Sequence, residues 1–150
     1  MYEILLFTHS WLRWVTLILF AVVLFNSLGG MNGGKEYLKK DKTLTTSLIG
    51  TLHLQLLIGL LLYFVYSPIT TTAMENMKIA MKVGAVRYWA VEHISIMIVA
   101  VIVAQIGSIR VKKTSVDKKK FKLQAIFFGI ALILILSRIP WSESARLFRF

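Results

Sequence analysis

Long apolar stretches alternate with short polar ones along this chain. Four apolar stretches stand out, at about residues 4–26, 46–66, 88–109 and 122–139. Each approaches the roughly 20 residues that an α-helix needs to cross a bilayer. The pattern predicts an all-α integral membrane protein: an up-down four-helix transmembrane bundle forming a single domain over 1–150. The four stretches occupy most of the chain and leave no room for a soluble domain.

Polar interruptions within these stretches carry the chemical interest. The first span contains "HSWLRW", with His9 and, one turn later, Arg13. An arginine near the bilayer centre costs about 2.5–3.5 kcal/mol even on lenient insertion scales, so it belongs near an interface or facing protein. His9, Arg13, Thr16 and Phe20 share one helical face. In the third span Ala100, Ala104 and Ser108 follow His93 and Met97 in steps of four. Small residues let helices approach closely in membranes, so this stripe turns His93 inward. In the second span Gly50 lies one turn before His53.

Composition and charge sharpen the topology. Hydrophobic residues make up 57% of the chain, against roughly 45–50% in a soluble domain. The formal net charge is +11. Loop 27–45 carries Lys35, Lys39, Lys40 and Lys42, and loop 110–122 carries seven basic residues. The loop between them, 67–87, carries Lys78, Lys82 and Arg87, and the tail carries Arg146 and Arg149. Basic residues accumulate in cytoplasmic loops. This predicts lysine-rich loops inside and both termini outside, in a bacterial inner membrane. The basic stretches are not interleaved with exposed aromatics, which argues against nucleic acid. They suit anionic lipid instead. The N-terminus lacks a basic n-region and a clean small-residue cleavage site, so the first span is expected to be retained. There is no cysteine, which removes disulfides, c-type haem attachment, iron–sulfur clusters and thiolate metal sites. "GGMNGG" at 29–34 follows no strand and lacks the Lys-Ser/Thr of a phosphate loop.

The outer loop is expected to hold a short amphipathic helix before the third span. It opens on Thr72-x-x-Glu75, a capping-box pattern. Met74, Met77 and Met81 form one stripe, and Glu75, Lys78 and Lys82 another. Thioethers favour Cu(I), although methionine is also a common apolar filler.

Depth decides which histidines can meet. At 1.5 Å per residue, His9 lies roughly 9 Å and His93 roughly 8 Å below the outer boundary, whereas His53 lies roughly 20 Å below it. His9 and His93 are therefore level, on spans that run in the same direction. Across the diagonal of a bundle these spans are about 11–14 Å apart, the order of gap that two axial imidazoles and an iron require. Imidazole ligates haem, and bundle cores house cofactors. His9 and His93 are the candidate ligands of a haem b, with Arg13, Arg87 and Arg138 as cations for its propionates. Arg13 fits less well unless it snorkels. Trp11, Trp14, Trp89 and Trp141 fit an outer aromatic belt or the walls around a ring-shaped cofactor. Arg13 and Glu92 are a candidate ion pair, which would explain the arginine without any cofactor. His53 and Gln55 share the cytoplasmic half and are a candidate quinone or proton site. With three histidines, a second bis-histidine haem is excluded by count.

At "THSWLRW", "HLQLLIGLLLYF", "RYWAVEHISIMIVAVIVA" and "SRIPW" the chain resembles small four-span bacterial membrane proteins loosely labelled cytochrome-b-like. The resemblance covers nearly the whole chain. It implies a membrane-embedded histidine site at His9, His53 and His93, with haem as the candidate group.

Three functions compete. One is a b-type cytochrome-like module passing electrons between a quinone and an acceptor near the outer face, alone or with other membrane redox subunits. The second is a haem-free subunit or scaffold, quinone-binding or not, whose His, Arg and Glu residues are structural. The third is a copper-handling protein using the outer methionines and His9. The sequence holds no nucleophile–base pair, HExxH or phosphate loop, so no stand-alone enzymatic activity is assigned, and a redox subunit stays open.

Overall fold

The computed structural model describes residues 1–148. Arg149, counted above among the tail cations, lies outside them. The described residues form helices and no strand: α1 (Tyr2–Met31), α2 (Lys39–Leu61), α3 (Pro68–Glu75), α4 (Met77–Ala80), α5 (Gly84–Arg87), α6 (Ile94–Lys113), α7 (Asp117–Ser137) and α8 (Ser144–Leu147). Two π-helical segments, Leu62–Tyr66 and Tyr88–His93, extend α2 and lead into α6. Four continuous helical stretches, Tyr2–Met31, Lys39–Tyr66, Gly84–Lys113 and Asp117–Ser137, are long and apolar enough to cross a membrane. By length and composition this is the make-up of a multi-pass membrane protein. All four helical stretches run past the apolar residues into polar flanks, because a helix ends where its hydrogen bonds stop rather than where its hydrophobicity does.

The long helices close a ring: α1 packs on α2 and α7, and α6 packs on the same two. This is consistent with a helical bundle, with α1 and α6 diagonal to each other. The core follows the 3.6-residue period. On α1, Thr16, Phe20, Val23, Ser27 and Gly30 are buried, one or two per turn. On α6, Ala100, Ala104 and Ser108 are buried. Phe20 meets Phe128 of α7 edge-on, with ring centroids 6.5 Å apart.

Glycine is required at two close approaches. A Cβ at Gly107 would overlap Cβ of Phe127, and one at Gly30 would overlap the Phe121 ring. A Cβ has no rotamer by which to yield. Gly107→Ala is therefore expected to destabilise by about 1–3 kcal/mol through overpacking, outweighing the gain of up to roughly 1 kcal/mol from replacing a mid-helix glycine. Thermal unfolding in detergent checks this, with Gly50→Ala as reference, since Gly50 has open space around it.

Loop 67–87 is not the one amphipathic helix that the methionine spacing predicts. It folds as α3, α4 and α5. Asn76 leaves the helical region at φ −145°, ψ 77°, and its side chain caps α4 by accepting from the Ile79 amide at 3.2 Å. Asparagine competes with helix by bonding locally. Thr72 lies inside α3, whose N-cap is Ser67 and whose first turn holds Pro68. The packed face is Ala73 and Ala80 against Ala90, with Val86 and Val91 beside them, while Met74, Met77 and Met81 face outward.

Candidate functional site

A cavity of about 140 Å³ lies between α1, the C-terminal half of α2, the start of α6, the end of α7 and the C-terminal strap that includes α8. His9 and Arg13 reach it from the same face of α1. His93 and Trp89 reach it from the second π segment, and Leu62 and Tyr63 from the first. Leu17, Leu52, Met97, Val101 and Ile135 line it with apolar surface.

The two π segments that flank the cavity widen the helix by one residue per turn and partly release their carbonyls. π-Bulges are rare and concentrate at functional sites. Here the carbonyls find other donors. The Ser67 amide bonds the Leu62 carbonyl at 2.8 Å, in the i to i−5 pattern. Thr70 Oγ1 donates to the Tyr63 carbonyl at 2.7 Å. Tyr63 Oη donates to the Ala90 carbonyl at 2.6 Å and so ties one π segment to the other. Pro68 has no amide hydrogen with which to continue the ladder. The widened turn before it carries no sequence signal.

The two candidate imidazoles share this one cavity. Nδ1 of His93 lies 2.9 Å from the Arg138 carbonyl, which orients the ring and leaves its other nitrogen available. Metal-binding histidines are commonly held in this way. Nδ1 of His9 is buried without a partner. Its ring lies against Gly59, where a Cβ would come within 3.1 Å of Cε1. Gln55 donates through Nε2 to the His9 main-chain carbonyl at 2.9 Å, while its Oε1 is buried and unpaired.

His53 stands apart. It is exposed on the outward face of α2, whereas Gln55 lines the cavity. Two residues apart on a helix means about 200° around it, so the structure does not bring His53 and Gln55 to one site.

The charged groups pair differently from the Arg13–Glu92 expectation. Glu92 pairs with Arg87 at 3.0 Å and with Arg138 at 3.6 Å. Arg13 turns to the C-terminal strap, where it donates to the carbonyls of Arg146 and Leu147, both at 2.9 Å. The reason is position. Glu92 sits beside Arg87 across one widened turn, and Arg138 ends the neighbouring α7. Trp14 also fastens the strap. Its Nε1 donates to the Leu147 carbonyl at 2.9 Å, and its ring stacks on Phe148 at 5.1 Å. Arg146, paired with Glu143, lies 4.4 Å over Trp89. Trp11 and Trp141 are exposed.

The donor set suits haem iron, since two imidazoles from different helices face one cavity and one of them is pre-oriented. The volume is smaller than a porphyrin. A cavity of roughly 150 Å³ takes one benzene ring. A macrocycle would require the strap and the π segments to move outward.

A second polar cluster, which the sequence reading missed, lies at the opposite end of the bundle. Ser27 Oγ donates to Gln124 Oε1 at 2.9 Å, and Gln124 Nε2 bonds Tyr37 Oη at 2.9 Å and Thr45 Oγ1. Asp41, 1% exposed, accepts from the Leu38 amide at 2.8 Å and from Asn26, which in turn accepts from Lys35. Tyr37 also anchors through its amide to Asp117 at 3.1 Å. Burial pushes the Tyr37 hydroxyl above its ordinary range, so it stays protonated within this network. Among the described residues no cluster of three or more His, Cys, Asp or Glu stands ready for a metal ion.

The fold and the site together define a class: an all-helical chain with four helices fit to span a membrane and a histidine-lined cavity near one end. Comparison with protein-family models, with curated proteins and with solved structures finds no match.

Proposed function

We propose that the chain is an up-down four-helix bundle of the bacterial inner membrane that works as a b-type cytochrome-like electron-transfer module. One haem b is held by His9 and His93 near the outer face. The observation that carries this reading is the meeting of two imidazoles from diagonal spans in one cavity, with His93 oriented by the Arg138 carbonyl. Bound there, haem supplies one-electron chemistry. The protein's part is to present the imidazoles, to exclude water with aliphatic walls, and to keep the widened turns satisfied through Thr70 and Tyr63.

A second reading is a haem-free quinone site. The volume of about 140 Å³ favours it, because one quinone ring fits where four pyrroles do not. Arg13 Nε and His9 Nδ1 are unpaired buried nitrogens able to donate to quinone oxygens, and the unpaired Gln55 Oε1 is able to accept from a quinol hydroxyl. The spectrum of protein purified after expression with ample haem separates the two. Haem gives the sharp reduced bands of a six-coordinate low-spin centre. Colourless protein rejects the cytochrome reading.

The antiparallel run of the helices has its own support. The C-terminal half of α1 meets the N-terminal ends of α2 and α7 through Asn26–Asp41 and Ser27–Gln124, as antiparallel neighbours do. Single cysteines replacing Lys39 or Lys118 are expected to label only from the cytoplasm, and those replacing Lys78 or Arg146 only from outside. Outside labelling at position 118 would invert the topology.

A further inference from the structure

Two residues that line the cavity have their polar ends assigned by neighbouring carbonyls. A carbonyl only accepts, so whatever bonds it is a donor. Gln55 meets the His9 main-chain carbonyl at 2.9 Å, which takes its amide nitrogen. The other end, Oε1, is then an acceptor, and it is buried without a partner. His93 meets the Arg138 carbonyl at 2.9 Å through Nδ1, so that nitrogen carries the proton. In the neutral ring Nε2 is then a lone pair. Gln55 and His93 belong to different helical stretches and line the same cavity. Arg13 lines it too, and its Nε is a buried donor without a partner.

We propose that the cavity takes a single-ring phenol, hydroquinone included, and that Gln55 and His93 select for its hydroxyl hydrogen. This inference rests on the haem-free, single-ring reading and adds to it the reduced form of the ligand. A buried acceptor left unmet is costly. A quinone oxygen only accepts, so it satisfies Arg13 and leaves both lone pairs unmet. A hydroxyl has one hydrogen to donate and two lone pairs with which to accept, so it answers both kinds of group. Size agrees, because a cavity of about 140 Å³ is close to the roughly 150 Å³ that takes one benzene ring. The walls agree as well, since Leu17, Leu52, Val101 and Ile135 offer aliphatic surface to a ring.

The test uses full-length protein purified in detergent without haem, and three probes. Phenol carries the hydroxyl. Toluene replaces it by a methyl group of similar size, and anisole has an oxygen that accepts but cannot donate. Isothermal titration gives the affinities, and ratios to toluene compared between variants in one detergent cancel partition into the micelle. An unmet buried polar group corresponds to about five- to a hundredfold in affinity. Gln55→Leu is expected to lower the phenol-to-toluene ratio by that factor and to leave the anisole-to-toluene ratio unchanged. His93→Leu should act in the same way, and it decides the matter if Gln55→Leu fails to fold. A phenol ratio that neither variant moves would overturn the proposal, since a purely structural residue changes all three affinities together. An anisole ratio that falls as far as the phenol ratio would also overturn it, because the site would then be reading an acceptor, as a quinone offers. Both outcomes leave the single-ring reading standing. If the wild type binds none of the three probes, that reading falls and takes this inference with it.

Discussion

His93→Ala is expected to abolish bis-histidine haem binding, and His9→Ala to do the same. Each removes one of the two proposed axial donors from a cavity whose other wall atoms are mainly apolar. The effect should exceed the 10- to 100-fold loss typical of disturbing a partner that merely orients a ligand. His53→Ala should leave the spectrum unchanged, because His53 faces away from the cavity. The measurement is absorption of oxidised and dithionite-reduced protein for the three variants side by side. Free imidazole provides a control for folding. Truncating a ligand to alanine leaves a hole of imidazole shape, so added imidazole should restore the six-coordinate spectrum in the ligand variants. A series in which His53 matters and His9 does not would keep the haem but remove this cavity as its site.

The second large effect lies at the opposite end and concerns stability alone. Asp41→Ala removes a buried carboxylate that accepts from the Leu38 amide and from Asn26. Hydrogen bonds to charged groups contribute roughly 1.5–3 kcal/mol each, so a loss of about 3 kcal/mol or more is expected. The Leu38 amide at the start of α2 loses its cap, and Asn26 and Lys35 lose their anchor. Gln124→Leu should act in the same direction but less strongly, because Ser27 keeps the Val23 carbonyl, Thr45 keeps the Asp41 carbonyl and Tyr37 keeps Thr45 as partners. Unfolding in detergent reads both, and haem affinity should be little changed in either variant because the cluster is remote from the cavity. A neutral Asp41→Ala would mean that the loop between α1 and α2 is held by packing alone.

Much of the architecture was legible because hydrophobic length and the 3.6-residue period are local properties. They marked four spans, the shared face of His9 and Arg13, and the inward stripe of Ala100, Ala104 and Ser108. Depth counting put His9 and His93 level, and both line the same cavity. The rotation of His53 away from Gln55 was also local, since about 200° separates residues i and i+2. Depth was weighed there and azimuth was not. Other features had no local signal. Helix widening at Leu62–Tyr66 and Tyr88–His93 depends on which donors collect the freed carbonyls, and Tyr63 reaches its acceptor 27 residues away.

The sequence by itself determined the elements: apolar runs of membrane-spanning length, lysine-rich connections and two inward histidines. Burying apolar faces requires nothing more than periodicity. Only the tertiary structure decided which polar groups meet. Glu92 went to Arg87 and Arg138 rather than to Arg13, and Arg13 went to the strap 133 and 134 residues away. Gln124 joined Ser27 across 97 residues. Apolar packing is non-directional and tolerates many arrangements. A hydrogen bond or ion pair has a reach of about 3–4 Å and a preferred direction, so its partner exists only once the helices have taken their places.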